Sequence, residues 1–578
     1  MTLSPDLERR VRDFVDGDPD PTTRAELLAL LEGGNERELS DRMAGPLAFG
    51  TAGLRGVLGA GESRMNRAVI LRTTFGLATY LRATLSDAAS RGVVVGYDGR
   101  RMSREFAEDT ARVLAAAGVR AFLFPALGPT PLTAFAAGRL RAACAVMVTA
   151  SHNPPEYNGY KVYWENGAQI IPPHDAGIAA DIARAPRAKD VPVLELPVAH
   201  RRGLLEEVGD DVVDAYVDEV ARLSHDARGR ELVRVVYTPL HGTGGELTPR
   251  VLRRFGFDAV HVVEEQRAPD GEFPTVRFPN PEEKGAMDLA FRDARAHQAT
   301  LVLANDPDAD RLAVAVPDGR GGYRQLTGNE VGVLLGEYLL RRSTAARRLA
   351  IASIVSSPML GVICEKLGVA YEETLTGFKW IANRAIARAK EDTFVFGYEE
   401  ALGYTVGELV RDKDGVSAAA LFAELSAVAA AEGRSVLDEL ERLFRTYGLF
   451  VSAQHNVTRT GAEGAAEIRA TMSRLRASLP SSLAGMPIVA TRDLQTGLRT
   501  AGSTTFPIDL PRSDVLVLDL PRGTRVIARP SGTEPKIKYY FDLSVDIAEG
   551  EELASARIRA EAELAALSRD FLAVVGGA

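Results

Sequence analysis

The stretch "VMVTASHNPPEYNGYKVYWENGAQ" spans residues 146–169. An apolar run ends at Val148. A polar, turn-rich loop follows, with Ser151 beside His152 and then Asn153, Pro154 and Pro155. Such a loop is either a surface turn, which Ser, Asn and Pro suit, or a place where an exposed serine oxygen is held for group transfer. A serine-hydrolase elbow would read G-x-S-x-G, whereas this chain has A-S-H. His241-Gly242-Thr243-Gly244-Gly245 has the look of an oxyanion loop, which is weak support without that elbow.

Reading outward, the pattern of apolar strand, loop and amphipathic helix recurs in three regions. The first holds VVVGYDGR (93–100), a helix from about Ser103, AFLFP (121–125) and CAVMVTAS (144–151). The second holds VRVVYTPLHGTGG (233–245), AVHVVEE (259–265) and TLVLANDPDADR (300–311). The third holds LAIASIVSS (349–357), YEETLTG (371–377) and TFVFGYEEALGY (393–404). Helices are expected over 246–256, 285–297, 329–342, 358–368 and 379–391. Alternating strands and helices predict βαβ sheets, whose ligands bind beyond the carboxyl ends of the strands. The C-terminal part departs from this rhythm. A helix at 435–447, a strand in LFVSAQHNVT, a helix over 461–478, IVATRDLQTG, paired strands in VLVLDLP and TRVIARPSGTEPKIKYYFDLSV, and a helix over 553–573 predict a smaller α+β domain.

The 578 residues suggest about three to five domains. The expected domains are 1–215, with an N-terminal helical extension, then 216–328, 329–448 and 449–578. Composition is that of a globular protein, at 46% hydrophobic and 25% charged. The net charge of −9, without a basic arm, argues against nucleic-acid binding. Cys144 and Cys364 lie in apolar contexts, so a reducing cytoplasm is expected and a disulfide framework is not. No apolar run approaches the roughly 18 residues of a membrane span. Ser4-Pro5 before Leu7, Val11 and Phe14 predicts a capped amphipathic helix rather than a signal peptide.

Three further clusters carry chemistry. Asn305-Asp306-Pro307-Asp308-Ala309-Asp310-Arg311 places three alternating carboxylates after a strand. In an extended loop they would point to one side as hard oxygen ligands for Mg²⁺. An EF-hand is excluded, since its sixth and twelfth positions would be Arg311 and Pro317. Arg529-Pro530-Ser531-Gly532-Thr533-Glu534-Pro535-Lys536 combines cations, hydroxyls and a glycine in an anion cradle, which could equally be a hairpin turn. Gly397-Tyr398-Glu399-Glu400-Ala401-Leu402-Gly403-Tyr404, with Thr376-Gly377-Phe378-Lys379 at a neighbouring strand end, could receive sugar hydroxyls.

Together, one per expected domain, these motifs resemble the α-D-phosphohexomutase superfamily. The resemblance runs from Phe49-Gly50-Thr51-Ala52-Gly53-Leu54-Arg55-Gly56 to the 529–536 loop, and KDGVSAA (413–419) and TRDLQTG (491–497) look closest to its long phosphoglucomutase/phosphopentomutase branch. It implies three similar α/β/α domains plus a C-terminal α+β, TATA-binding-protein-like domain around a central cleft. It implies phosphorylation of Ser151 and Mg²⁺ held by that group with Asp306, Asp308 and Asp310. Arg55, His152 and Lys161 would be catalytic, with Lys413 an acid–base or phosphate-steering group. Arg311 would support the active loop. Thr376, Gly377, Lys379 and Glu399 would meet the sugar phosphate, and Arg529, Ser531, Gly532, Thr533 and Lys536 its non-transferring phosphate. The implied activity moves a phosphoryl group between C1 and C6 of a hexose, glucose preferred, with a sugar 1,6-bisphosphate as primer and intermediate. Mannose or pentose phosphate, glucose 1,6-bisphosphate synthesis and a non-catalytic sensor are the alternatives. The expected partner is a small sugar phosphate, with no nucleic acid or membrane, in a cytoplasmic monomer or weak homodimer. Ala401 stands where many hexomutases have Ser, which opens the pentose alternative.

Overall fold

The computed structural model describes residues 3–50, 53–459, 461–531 and 536–576. The chain divides into two compact units. One comprises Met1–Gly328, Gly377–Lys390 and Phe394–Gly433. The other comprises Asn329–Thr376, Glu391–Thr393 and Arg434–Ala578.

The first unit opens with three helices, Pro5–Gly17, Pro21–Glu32 and Glu36–Arg42. Leu7, Val11, Val15, Leu27, Leu31 and Leu39 give them a small core of their own. The first helix begins where Ser4-Pro5 predicts, but the Ser4 side chain makes no capping bond. Pro5 already occupies the first helical position, where no N–H needs a partner.

A six-stranded sheet follows, in the order Leu54–Val57, Tyr157–Trp164, Cys144–Val148, Val93–Tyr97, Ala121–Leu123, Leu205–Glu207. The last four run parallel, while Tyr157–Trp164 is antiparallel to both its neighbours. Cys144–Val148 is buried on both faces, as its unbroken apolar run requires of a central parallel strand. A five-stranded sheet in the order Tyr323–Gln325, Ala313–Pro317, Leu301–Ala304, Val235–Thr238, Val260–Val262 repeats the plan, with the last three parallel and Ala313–Pro317 antiparallel to both its neighbours. The unit also holds a hairpin in which residues 396–399 pair with Gly403–Val406. The helix Gly415–Ala431 follows, buried at nearly every position and capped by Asp414. Its all-round apolar sequence lacks an amphipathic stripe, so periodicity does not reveal it.

The second unit pairs Arg348–Ser353 with Ala370–Thr374 in parallel. Its antiparallel seven-stranded sheet runs Leu449–Thr458, Lys536–Val545, Arg525–Pro530, Leu516–Asp519, Ala490–Asp493, Leu498–Ala501, Thr504–Pro507. The helix Leu553–Val574 covers it, with Phe571 edge-on to Tyr539 and Phe541. An ion network, buried at Arg525 and Asp542 and half-buried at Glu373, Arg492 and Asp519, joins the two sheets of this unit. Arg525 bonds Asp542 at 2.8 Å and Glu373 at 2.7 Å, and Arg492 bonds Glu373 at 2.6 Å and Asp519 at 2.9 Å. Cys144 and Cys364 are buried and free. Among the described residues no single helix is long and apolar enough to cross a membrane.

Candidate active site

Ser151 follows the strand Cys144–Val148 by three residues and takes φ +52°, the left-handed region that serine rarely enters. Its N–H donates to Thr149 Oγ1 at 2.9 Å. The loop is wound around the buried guanidinium of Arg100, which donates to the carbonyls of Ser151, Asn153, Pro154 and Tyr157. Ser151 is only 3% exposed, so the expected exposed turn is corrected to a covered one. What covers it is the carboxylate loop. Ser151 Oγ donates to Asp306 Oδ2 at 2.7 Å and lies 3.2 Å from His152 Nδ1.

The carboxylate loop is also not extended. Ala309 takes φ +52°, and its N–H donates to the Asp306 carbonyl at 2.9 Å. The Arg311 N–H donates to Asp306 Oδ1 at 3.1 Å, and Asn305 Nδ2 to the Arg311 carbonyl at 2.6 Å. This turn, rather than strand alternation, makes the three side chains converge. One oxygen from each of Asp306, Asp308 and Asp310 lies within 4.8 Å of the others, and all three residues are fully buried. The His241–Gly245 stretch buttresses this turn from behind. Thr243 donates to the Pro307 carbonyl from its N–H at 2.8 Å and its hydroxyl at 3.1 Å.

Two ammonium groups sit among the carboxylates. Lys161 Nζ is 2.7 Å from Asp308 Oδ2 and 2.9 Å from Asp310 Oδ2, and Lys413 Nζ is 3.0 Å from Asp310 Oδ2. Burial pushes the Asp306 carboxyl well up, and Asp308 and Asp310 push it further. Burial also raises Asp308, but the bonded Lys161 ammonium outweighs it and leaves that carboxyl low. The other oxygens, Asp308 Oδ1 and Asp310 Oδ1, are buried without a hydrogen-bond partner. Orphaned hard oxygens in a converging set fit a divalent cation such as Mg²⁺. A cation's own charge would also reverse the upward push on Asp306.

Arg55 lies on Leu54–Val57 opposite Gly159, and its Nη1 donates to Asn153 Oδ1 at 3.1 Å. The preceding Gly53 has φ +80°, and a Cβ there would lie 1.8 Å from the Tyr160 carbonyl oxygen, so only glycine lets this strand approach. His152 is pushed well below its ordinary value by burial and then by Arg311 and Arg55, which keeps it neutral. Arg311 Nε stands 3.9 Å from Asp306 Oδ2.

In the same unit Glu399 ends its strand, and its Oε1 accepts the Gly377 N–H at 2.7 Å. Lys379, on the helix Phe378–Arg388, is 3% exposed, and its Nζ has no hydrogen-bond partner. Burial pushes it down to about 8, against a smaller pull from Asp175. Thr376, Arg529, Ser531 and Lys536 belong to the second unit. There the Ser531 N–H donates to the Lys536 carbonyl at 2.7 Å and closes the hairpin. Gly532 and Thr533 lie outside the described residues, as do Thr51, Ala52, Glu534 and Pro535.

Three residues of the site escape motif reading. Arg100 is one; its place in the loop after a parallel strand, as for Ser151 and Asp306, is the available signal. Thr130 is the second, donating to Asp308 through its N–H at 2.9 Å and its hydroxyl at 2.6 Å. Asp412, beside Lys413, is the third.

Comparison with known proteins identifies the family. Residues 46–189, 214–321 and 327–447 match, in order, α/β/α domains I, II and III of phosphoglucomutase/phosphomannomutase. A Haemophilus influenzae protein named "Probable phosphomannomutase" is 42% identical over 483 residues, 83% of this chain and 93% of its own. The Mus musculus phosphopentomutase is 37% identical over 572 residues, covering 93% and 90%. The crystal structure of a phosphoglucomutase/phosphomannomutase family protein from Burkholderia thailandensis superposes with a TM-score of 0.67 at 21% identity, over 92% of this chain and 97% of that one. The chain therefore belongs to the α-D-phosphohexomutase superfamily, with three α/β/α domains and a C-terminal sheet domain. It is a phosphotransferase isomerase of the phosphoglucomutase/phosphomannomutase type.

Proposed function

We propose that the chain moves a phosphoryl group between C1 and C6 of a hexose phosphate, with glucose preferred, through phosphorylated Ser151 and a bound sugar bisphosphate. The observation that most supports this is the 2.7 Å contact of Ser151 Oγ with Asp306 inside a three-carboxylate cluster. Asp306, Asp308 and Asp310, with an oxygen of the phosphorylated serine, would hold Mg²⁺. When bound, Mg²⁺ supplies positive charge that offsets the charge of the transferring phosphoryl group. The rest falls to the chain. Arg100 and the Thr149 hydroxyl hold the Ser151 backbone in its left-handed turn, so that Oγ meets Asp306 without reorganisation. The Oγ–phosphorus bond breaks as a sugar hydroxyl takes the group. The bisphosphate turns, and its other phosphate returns to Oγ while the freed sugar oxygen regains a proton. His152 and Lys413 are the proton carriers at hand. Arg55 and Lys161 add positive charge, and Lys379 with Glu399 would hold the sugar phosphate.

A pentose phosphate is the second reading, with a mannose phosphate or bisphosphate synthesis after it. Two observations favour the pentose. Ala401 offers a methyl group between Glu399 and Gly403 in the hairpin, and the mouse relative acting on pentose phosphate aligns over 93% of the chain. The test is turnover of glucose, mannose and ribose 1-phosphates with Mg²⁺, with and without glucose 1,6-bisphosphate. Preference for glucose 1-phosphate with dependence on primer is expected. Preference for ribose 1-phosphate would replace the first reading with the second. Ala401→Ser should raise the ratio of hexose to pentose specificity constants, because a site that bonds a hydroxyl discriminates more than one that accommodates it.

A further inference from the structure

Lys413 reaches the carboxylate cluster along a route that the fold keeps open. A Cβ on Gly403 would lie 2.5 Å from Lys413 Cδ and 3.1 Å from Cγ, so a side chain there would displace the lysine. At the far end Nζ lies 3.0 Å from Asp310 Oδ2 and 3.4 Å from Asp412 Oδ1. Asp412 is 1% exposed, and its oxygens divide their partners. Oδ1 faces Lys413, accepting its N–H at 2.8 Å as well as the ammonium. Oδ2 faces the other way, accepting the Tyr163 hydroxyl at 2.7 Å and Gln169 Nε2 at 2.8 Å. Tyr163 lies two residues beyond Lys161 on the strand Tyr157–Trp164, so both side chains leave the same face of the sheet. The strand that delivers Lys161 directly thus reaches Lys413 through Asp412.

We propose that Asp412, oriented by Tyr163 and Gln169, is a positioning residue that fixes the Lys413 ammonium against the carboxylate cluster. This rests on the reading above that Lys413 serves phosphoryl transfer. A buried carboxylate on an ammonium group holds it in one place rather than leaving a flexible four-carbon stem to wander. A misplaced group of this kind can slow chemistry by ~10²-fold.

The test is a double-mutant cycle of Tyr163→Phe with Lys413→Met, because Tyr163→Phe removes one hydrogen bond to Asp412 and leaves both charged side chains in place. Rates are read under single turnover with Mg²⁺, glucose 1-phosphate or ribose 1-phosphate, and glucose 1,6-bisphosphate, so that very slow variants stay measurable. Tyr163→Phe should lower kcat in the otherwise unaltered enzyme and leave KM within about 2-fold. In the Lys413→Met background it should cost less than about 2-fold more. An equal loss in both backgrounds would overturn the inference while leaving the role of Lys413 standing. Full activity in Lys413→Met alone would overturn that role, and the inference with it. If Lys413→Met shows no rate at all, Tyr163→Phe and Gln169→Leu decide. A fall in kcat at unchanged melting temperature supports positioning, and a fall in both means that Asp412 only holds the fold.

Discussion

At the scale of single residues, Ser151 and Lys379 make opposite demands on the fold. Ser151 is covered, bonded and strained, all to hold one oxygen beside Asp306. Ser151→Ala should keep the melting temperature and lower turnover by at least ~10³-fold. Intact mass after incubation with glucose 1,6-bisphosphate should show one added phosphate on the natural chain and none on the variant. Near-normal turnover in Ser151→Ala would end the phosphoserine mechanism. Lys379 is instead an ammonium buried without a hydrogen-bond partner and pushed down to about 8. Its unfolded value is about 10.4. Between those values the unfolded chain binds more protons than the folded one, so stability rises with pH across that window. Lys379→Met should therefore raise the melting temperature at pH 7, with the gain shrinking toward pH 10. If the ammonium meets the sugar phosphate, KM should rise through pH 8 in the natural enzyme and be higher, without that rise, in the variant. A KM that is flat from pH 7 to 9 and unchanged by the substitution would separate Lys379 from the substrate.

At the scale of elements, Ser151 and the three aspartates leave loops just past the carboxyl ends of parallel strands, and each loop is held by something outside itself. For the serine loop that support is Arg100, whose guanidinium satisfies four carbonyls and stands 3.5 Å from buried Asp98. Arg100→Met should destabilise the protein by about 3 kcal/mol, because it strands the Asp98 charge as well as the carbonyls. It should also slow turnover by up to ~10²-fold through misplacement of Ser151. Arg100→Lys should not restore either, since one ammonium cannot reach carbonyls spread along seven residues. Hydrogen exchange over residues 150–158 is the check, and unchanged protection there would mean that the loop holds itself.

At the scale of the whole molecule, the second compact unit joins the strand Ala370–Thr374 to the C-terminal sheet, and Glu373 is the hinge pin of that union. Burial pushes the Glu373 carboxyl up, but Arg492 and Arg525 outweigh it and leave it lowered. A lowered carboxyl contributes stability that is full above its unfolded value of about 4.3 and is lost as pH falls through its folded value. Glu373→Ala should cost about 3 kcal/mol near neutral pH and flatten part of the acid side of the stability curve. Amides of 370–374 and 525–530 should gain exchange together. Gain in only one of the two segments would mean that the network does not couple them.

The chain's own order of residues determined the rhythm of strands and helices, because hydrophobic periodicity and turn residues act over short spans. It also determined which residues are chemically able to act, since the serine and the three aspartates are legible as types in strand-end loops. The antiparallel strand Tyr157–Trp164 and the buried helix Gly415–Ala431 were hidden, one behind a loop-like Asn-Pro-Pro start and one by lacking a polar face. Only the tertiary structure decided that Ser151 is covered, that a turn and not an extended loop gathers the carboxylates, and that Arg100, Thr130 and Asp412 support them. The reason is separation along the chain. The Ser151–Asp306 bond spans 155 positions, Thr130–Asp308 spans 178 and Tyr163–Asp412 spans 249. Local pattern carries no record of such contacts, which exist only once packed sheets bring the loop ends together.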